Sequence, residues 1–189
     1  MNRKPCLILA MLILLTSLQS YALDFFGVPI GGTIDEMTEK LKPLGFAPVK
    51  VVAKKGEFAG KEVIFGNDKI RYLKGKLGDR TIPIYLNAPQ AVSVESIVYE
   101  GEFDTKRELD DFTVFLMDKI SNVYGSPSDC VAKQLLTYED TLKLKKKFGS
   151  DRIPDFIAQW KQRDGNILLY TYYSDKSIIC SFKNFNEPE

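Results

Sequence analysis

The chain has 189 residues, 26 Lys plus Arg against 25 Asp plus Glu, and no histidine. That length fits one compact domain, and the missing imidazole excludes Ser-His-Asp and Cys-His catalysis, a histidine proton shuttle and any zinc site built with His. The near-neutral balance lacks the positive field behind non-specific nucleic-acid binding, so no nucleic-acid partner is expected.

The first 22 residues read as an address. Arg3 and Lys4 make a short positive start, Leu7 to Leu18 is an apolar run, and Ser20-Tyr21-Ala22 offers a small-x-small cleavage site. Thr16, Ser17, Gln19 and Ser20 interrupt the run before it reaches the roughly twenty apolar residues of a membrane span. Cys6 precedes the run, whereas a lipid-attachment cysteine would follow it. A cleaved signal peptide over 1–22 and a single mature domain over 23–189 are therefore expected. That domain would be periplasmic or secreted and not held at the membrane. Removing 22 of 189 residues leaves 167, with 24 basic against 25 acidic side chains.

Two T-x-x-E capping boxes open helices. Thr33 and Glu36 precede Ile34, Met37, Leu41 and Leu44 on one helical face, with Gly45 as the stop and Pro43 distorting the last turn or ending the helix at Lys42. Thr105 and Glu108 precede Leu109, Phe112, Leu116, Ile120 and Val123, closed by Gly125 and Pro127. Strand signals follow the first helix at Val49–Lys54, Lys61–Phe65, Lys69–Lys74, Thr81–Leu86 and Val92–Tyr99, and follow the second at Phe156–Gln162, Ile167–Tyr173 and Ser177–Phe182. Arg163-Asp164-Gly165-Asn166 carries a hairpin turn. Leu135–Phe148 reads as a third, lysine-rich helix or as a long excursion. Its Lys143, Lys145, Lys146 and Lys147 form a solvated face with an i,i+4 pair from Glu139, or alternatively a contact for a polyanion. The intervals between strands are too short for crossover helices, so pairing is antiparallel. The order predicts an α+β fold with two similar helix-then-strands halves, about 24–100 and 101–184, and helices on one face of the sheet.

Cys130 and Cys180 remain after signal removal, an even count in a compartment that permits disulfides. They are expected to pair, closing a loop of about fifty residues for roughly 4 kcal/mol. The alternatives are two buried free thiols or one reactive cysteine. On the last hairpin Leu168, Tyr170 and Tyr172 alternate with Ile167, Leu169, Thr171 and Tyr173. Trp160, Tyr170, Tyr172 and Tyr173 are the candidate binding residues, since amphipathic rings anchor protein interfaces; otherwise they complete the core.

No catalytic, cofactor-binding or metal-ligating residue is assigned. Asp35 and Glu36 suit a helix's first turn, and Asp110 and Asp111 lie on different faces of the second helix. Gly66-Asn67-Asp68 and Asp164-Gly165-Asn166 lack the ligand density of a calcium loop, and Gly31-Gly32 lacks the lysine of a phosphate loop.

The segment Phe25-Phe26-Gly27-Val28-Pro29-Ile30-Gly31-Gly32-Thr33, then Glu36, Leu41 and Gly45-Phe46, resembles the opening box of small exported bacterial proteins of unknown function. Tyr124-Gly125-Ser126-Pro127 and Trp160 with Asp164-Gly165-Asn166-Ile167 are similar to such proteins too. A helix, Gly-Pro and then strands also resembles the repeat of the beta-lactamase-inhibitor-like and outer-membrane-assembly lipoprotein folds, although the chain has no lipobox. The resemblance implies a helix-plus-sheet envelope protein that binds, and transfers no catalytic residue. The expected function is that of an exported non-catalytic binder of an envelope or secreted protein, of inhibitor, immunity or assembly-factor type. A carboxylate-based glycan hydrolase and a lipid or small-ligand carrier are the alternatives.

Overall fold

The computed structural model describes residues 22–53, 59–135 and 153–185, with Thr137, Glu139, Lys143 and Lys146 as isolated positions. The expected leader, apart from Ala22, and most of Leu135–Phe148 lie outside the described residues. The fold is α+β. Its centre is an eight-stranded antiparallel sheet, and the chain builds it twice from one helix followed by four strands.

In the first half a two-residue hairpin, β1 (Asp24–Phe25) and β2 (Val28–Pro29), precedes α1 (Ile34–Leu41). Phe26 and Gly27 both take positive φ at its turn, 49° and 88°, the requirement of a type I′ connection. Thr33 caps α1, its hydroxyl accepting from Glu36 N–H while the Glu36 carboxylate accepts from Thr33 N–H. The helix ends where Pro43 denies it a further N–H, and Lys42–Leu44 tighten into a 3₁₀ turn closed by Gly45 at φ 83°. Then come β3 (Ala47–Pro48), a small separate hairpin of β4 (Lys50–Val52) and β5 (Glu62–Ile64), and the long strands β6 (Ile70–Leu77), β7 (Arg80–Asn87) and β8 (Ser96–Glu102).

The second half starts with α2 (Lys106–Tyr124), capped by the reciprocal Thr105 and Glu108 bonds. It continues with β9 (Asp129–Ala132), β10 (Phe156–Gln162), β11 (Gly165–Tyr172) and β12 (Ser177–Asn184). The sheet order is β3-β6-β7-β8-β12-β11-β10-β9. The two last strands, β8 and β12, therefore pair at the centre, with Tyr99 opposite Cys180.

Alternation along each strand sends one set of side chains toward the helices. Leu73, Ile82, Ile84, Leu86, Ile97, Ile167, Leu169, Ile178 and Phe182 meet Met37 and Leu41 of α1 and Leu109, Leu116 and Ile120 of α2 in one core. The opening box seals one end of it. Phe25 packs edgewise and Phe26 at a tilt on Phe182, and the Tyr124 hydroxyl accepts from Phe26 N–H at 2.7 Å while donating to Asp24 Oδ1 at 2.8 Å. Asn184 ties the box to β12, its Oδ1 accepting from Leu23 N–H and its Nδ2 donating to Ile30 O.

The expected disulfide does not form. Cys130 lies opposite Ala158, Ala158 opposite Leu169, and Leu169 opposite Cys180. Three strand spacings, roughly 14 Å, separate the two cysteines, against the 4.4–6.8 Å that a bridge needs between Cα atoms. Both are free, Cys130 exposed and Cys180 buried. Burial pushes the Cys180 thiol up to about 12 and raises Cys130 as well.

Candidate binding surface

The four aromatic residues expected to form a binding surface are not brought together. Trp160 points to the helices, fully buried, and its indole N–H donates to the Gly125 carbonyl at 2.9 Å; it is a core residue that also pins the end of α2. Tyr173 lies on that same face, partly buried. Its ring lies under Lys106 Nζ at 5.6 Å, and burial followed by the neighbouring Asp110 carboxylate raises its pKa. Tyr170 and Tyr172 point to the opposite face but are only 8% and 5% exposed. Burial pushes the Tyr170 phenol up to about 12.

The face of the first half turned away from α1 and α2 holds a different set of rings. The two-residue turn at Gly78-Asp79 fixes the register of β6 and β7, placing Tyr72 opposite Tyr85. Phe65, just beyond β5, stacks on Tyr72 with ring centres 4.5 Å apart and planes 27° from parallel, and Tyr72 meets Tyr85 at 5.6 Å. The Tyr85 hydroxyl donates to Glu100 Oε1 at 3.0 Å. Burial, reinforced by that carboxylate, holds the Tyr85 phenol well above its ordinary value. The ridge runs from the β4–β5 hairpin across two strands to an acidic end. Phe65 is 45% exposed, and Ile64 and Ile70 beside it are 46% and 36% exposed. Tyr72 and Tyr85 are half-buried against one another.

Around the ridge the face is charged. Lys74 and Lys76 stand on β6 opposite Pro83 and Thr81 of β7, and Glu100 and Glu102 stand on β8, all six exposed. The β7–β8 ladder runs from Asn87↔Ser96 to Tyr85↔Val98 and stops before Pro83, which has no N–H to give. Glu100 and Glu102 also border a groove of about 470 Å³ with Ser177 and Ile179. Chemically, such a surface offers flat rings for apolar contact and ordered charges for orientation, the usual division between interface core and rim.

Sequence reasoning missed Phe65, Tyr72, Tyr85 and Glu100. The signal was present in the alternation Ile70-Tyr72-Lys74-Lys76 against Arg71-Leu73-Gly75-Leu77, but only the register turns it into a stack.

The other candidate residues take up structural positions. Asp35 pairs with Arg71, Glu36 completes its capping box, and Asp110 lies beside Tyr173, whose pKa it helps to raise. Between helices and sheet, the apolar cavity bounded by Phe25, Ile84, Tyr99, Leu116 and Cys180 encloses about 10 Å³. That is room for one water and none for an acyl chain. Among the described residues no group of three or more Cys, Asp or Glu is placed to hold a metal ion, and no helix is long and apolar enough to cross a membrane. Compared with family models, with curated proteins and with solved structures, the chain matches none.

Proposed function

We propose that the chain is an exported, non-catalytic binding protein that recognises a protein partner in the periplasm or envelope through the face of its first half turned away from α1 and α2. The observation that carries this reading is the Phe65–Tyr72–Tyr85 ridge with Ile64 and Ile70 at its flank. Stacked rings present large apolar area on few rotatable bonds, which is what interface anchors supply. Tyr72 and Tyr85 sit on β-strands tied into the core, so little order has to be gained at those two rings on docking. The resemblance of Phe25–Thr33 to exported envelope proteins points the same way.

The test is affinity capture from envelope extract with two baits, the natural protein and a Tyr72→Ala/Tyr85→Ala variant. Both rings face away from the core, so the variant keeps the fold, checked by circular dichroism. A protein retained by the first bait and lost from the second is the expected result. Retention that ignores the rings, or no protein held above background, would overturn the assignment.

A further inference from the structure

The charges flanking β7 are arranged so that the face complements itself, and we propose that it pairs two copies of the chain about a two-fold axis along β7. Lys74 and Lys76 form a column on the β6 side, Glu100 and Glu102 a column on the β8 side, with the short side chains of Pro83 and Thr81 between them. The columns are about two strand spacings apart, roughly 10 Å, too far for ion pairs within one copy. Among the described residues none of the four makes one.

A second copy changes that. Rotation about an axis lying over Pro83 and Thr81, parallel to β7, carries the β6 side of one copy onto the β8 side of the other. Lys74 then faces Glu100 of the second copy, Lys76 faces its Glu102, and the reverse pairs form by symmetry. The same rotation sets Tyr85 against Tyr85, next to the charged rungs on the same strands, and brings Tyr72 over the buried Val98. An axis across the strands would instead lay lysine on lysine and glutamate on glutamate, so the charge order selects one orientation. The patch spans three strands of seven or eight residues plus the Phe65 ring, roughly 25 Å by 20 Å. That gives about 1,000 Å² over two copies, the lower end for a specific interface, so a weak, salt-sensitive dimer is expected. The pairing uses the surface assigned above to a partner but does not require that partner to exist, and a partner would compete with it.

Charge reversal tests the pairing. Sedimentation equilibrium of the purified protein from about 5 to 500 μM at low salt should show a monomer–dimer equilibrium, weakened about tenfold or more when salt rises toward 0.5 M. Lys74→Glu/Lys76→Glu and Glu100→Lys/Glu102→Lys should each be monomeric, and their equimolar mixture should recover a dimer holding one of each. Carbodiimide coupling of mixed isotope-labelled and unlabelled natural protein gives a readout without variants: Lys74–Glu100 or Lys76–Glu102 crosslinks joining a labelled to an unlabelled chain. A monomer at every concentration overturns the dimer and leaves the partner reading standing. So do reversed variants that associate like the natural chain, or a mixture that stays monomeric. Capture that ignores Tyr72 and Tyr85, with the crosslinks present, overturns the partner reading and keeps the dimer.

Discussion

The two halves of the sheet solve the same packing problem with bulk placed at different points. Counted from the tight turns at Leu77↔Arg80 and Gln162↔Gly165, Gly75 and Trp160 hold equivalent positions on the helix side. Counted on from the equivalent pairs Tyr85↔Val98 and Tyr170↔Ile179, so do Tyr99 and Cys180, and Gly101 and Phe182. Where the second half uses Trp160, the first leaves a gap that Phe46 fills: a Cβ on Gly75 would come within 2.5 Å of the Phe46 ring. Where the second uses Phe182, the first turns Tyr99 back over Gly101, whose Cβ would lie 2.7 Å from Tyr99 Cζ. Topology repeats, while volume is conserved per region and not per position. The faces turned away from α1 and α2 differ too. Tyr85 is half open and bonded to Glu100, whereas its equivalent Tyr170 is buried.

The comparison breaks most readily at the bulky member of the first pair. Trp160→Ala should cost about 3–5 kcal/mol, read as a lower urea midpoint by far-UV circular dichroism, because it empties the second half's core and frees the Gly125 carbonyl. Gly75→Ala, in the opposite sense, should cost about 1–3 kcal/mol by overpacking. Much of that penalty should vanish in a Phe46→Ala background, a coupling that a double-mutant cycle measures. If the two substitutions simply add, Phe46 does not fill the Gly75 gap.

The central pair sharpens the comparison through pH. Burial pushes Cys180 up to about 12 from 9.0, and Tyr99 and Tyr170 up to about 12 from 10.0. The folded state therefore holds protons that the unfolded chain releases. Stability is fully present below pH 9 and falls as pH rises from 9 toward 12, first through Cys180 and then through the tyrosines. Cys180→Ala should move the onset of that loss up by about one unit, measured by urea unfolding between pH 8 and 11. An unchanged onset would mean that the thiol is not buried at the β8–β12 seam. The smallest effect belongs to the edge strand. Cys130→Ser should stay within about 0.5 kcal/mol, and brief alkylation of the native protein should label Cys130, with Cys180 reacting only after unfolding.

What was legible in the sequence was local. Thr33 with Glu36 and Thr105 with Glu108 mark their helices because a capping box is complete within four residues. The long strands show themselves by alternation, and the short intervals between them dictate antiparallel pairing. Strands β1, β2 and β3 have two residues each, too few to alternate, and β9, a four-residue Asp129-Cys130-Val131-Ala132 with its one polar residue at the start, shows no alternation either. The disulfide expectation failed because an even count of cysteines carries no distance; two strands, β10 and β11, stand between Cys130 and Cys180. Trp160 could be read as core or as binding surface for the same kind of reason, and the structure makes it core. Alternation divides a strand's residues between two faces, but which face the helices cover is decided by the whole sheet. The Phe65–Tyr72–Tyr85 ridge needs register, the return of the hairpin and the open face together, so no single segment announces it.

The central claim is that, among the described residues, the open aromatic face belongs to the first half, and tyrosine modification of the native protein tests it most directly. Short exposure to hydroxyl radicals, with oxidised residues located by mass spectrometry, should modify Phe65, Tyr72 and Tyr85 well ahead of Tyr170 and Tyr172. Oxidation of Tyr170 and Tyr172 as fast as that of Tyr72 would contradict the account and return the surface to the last hairpin.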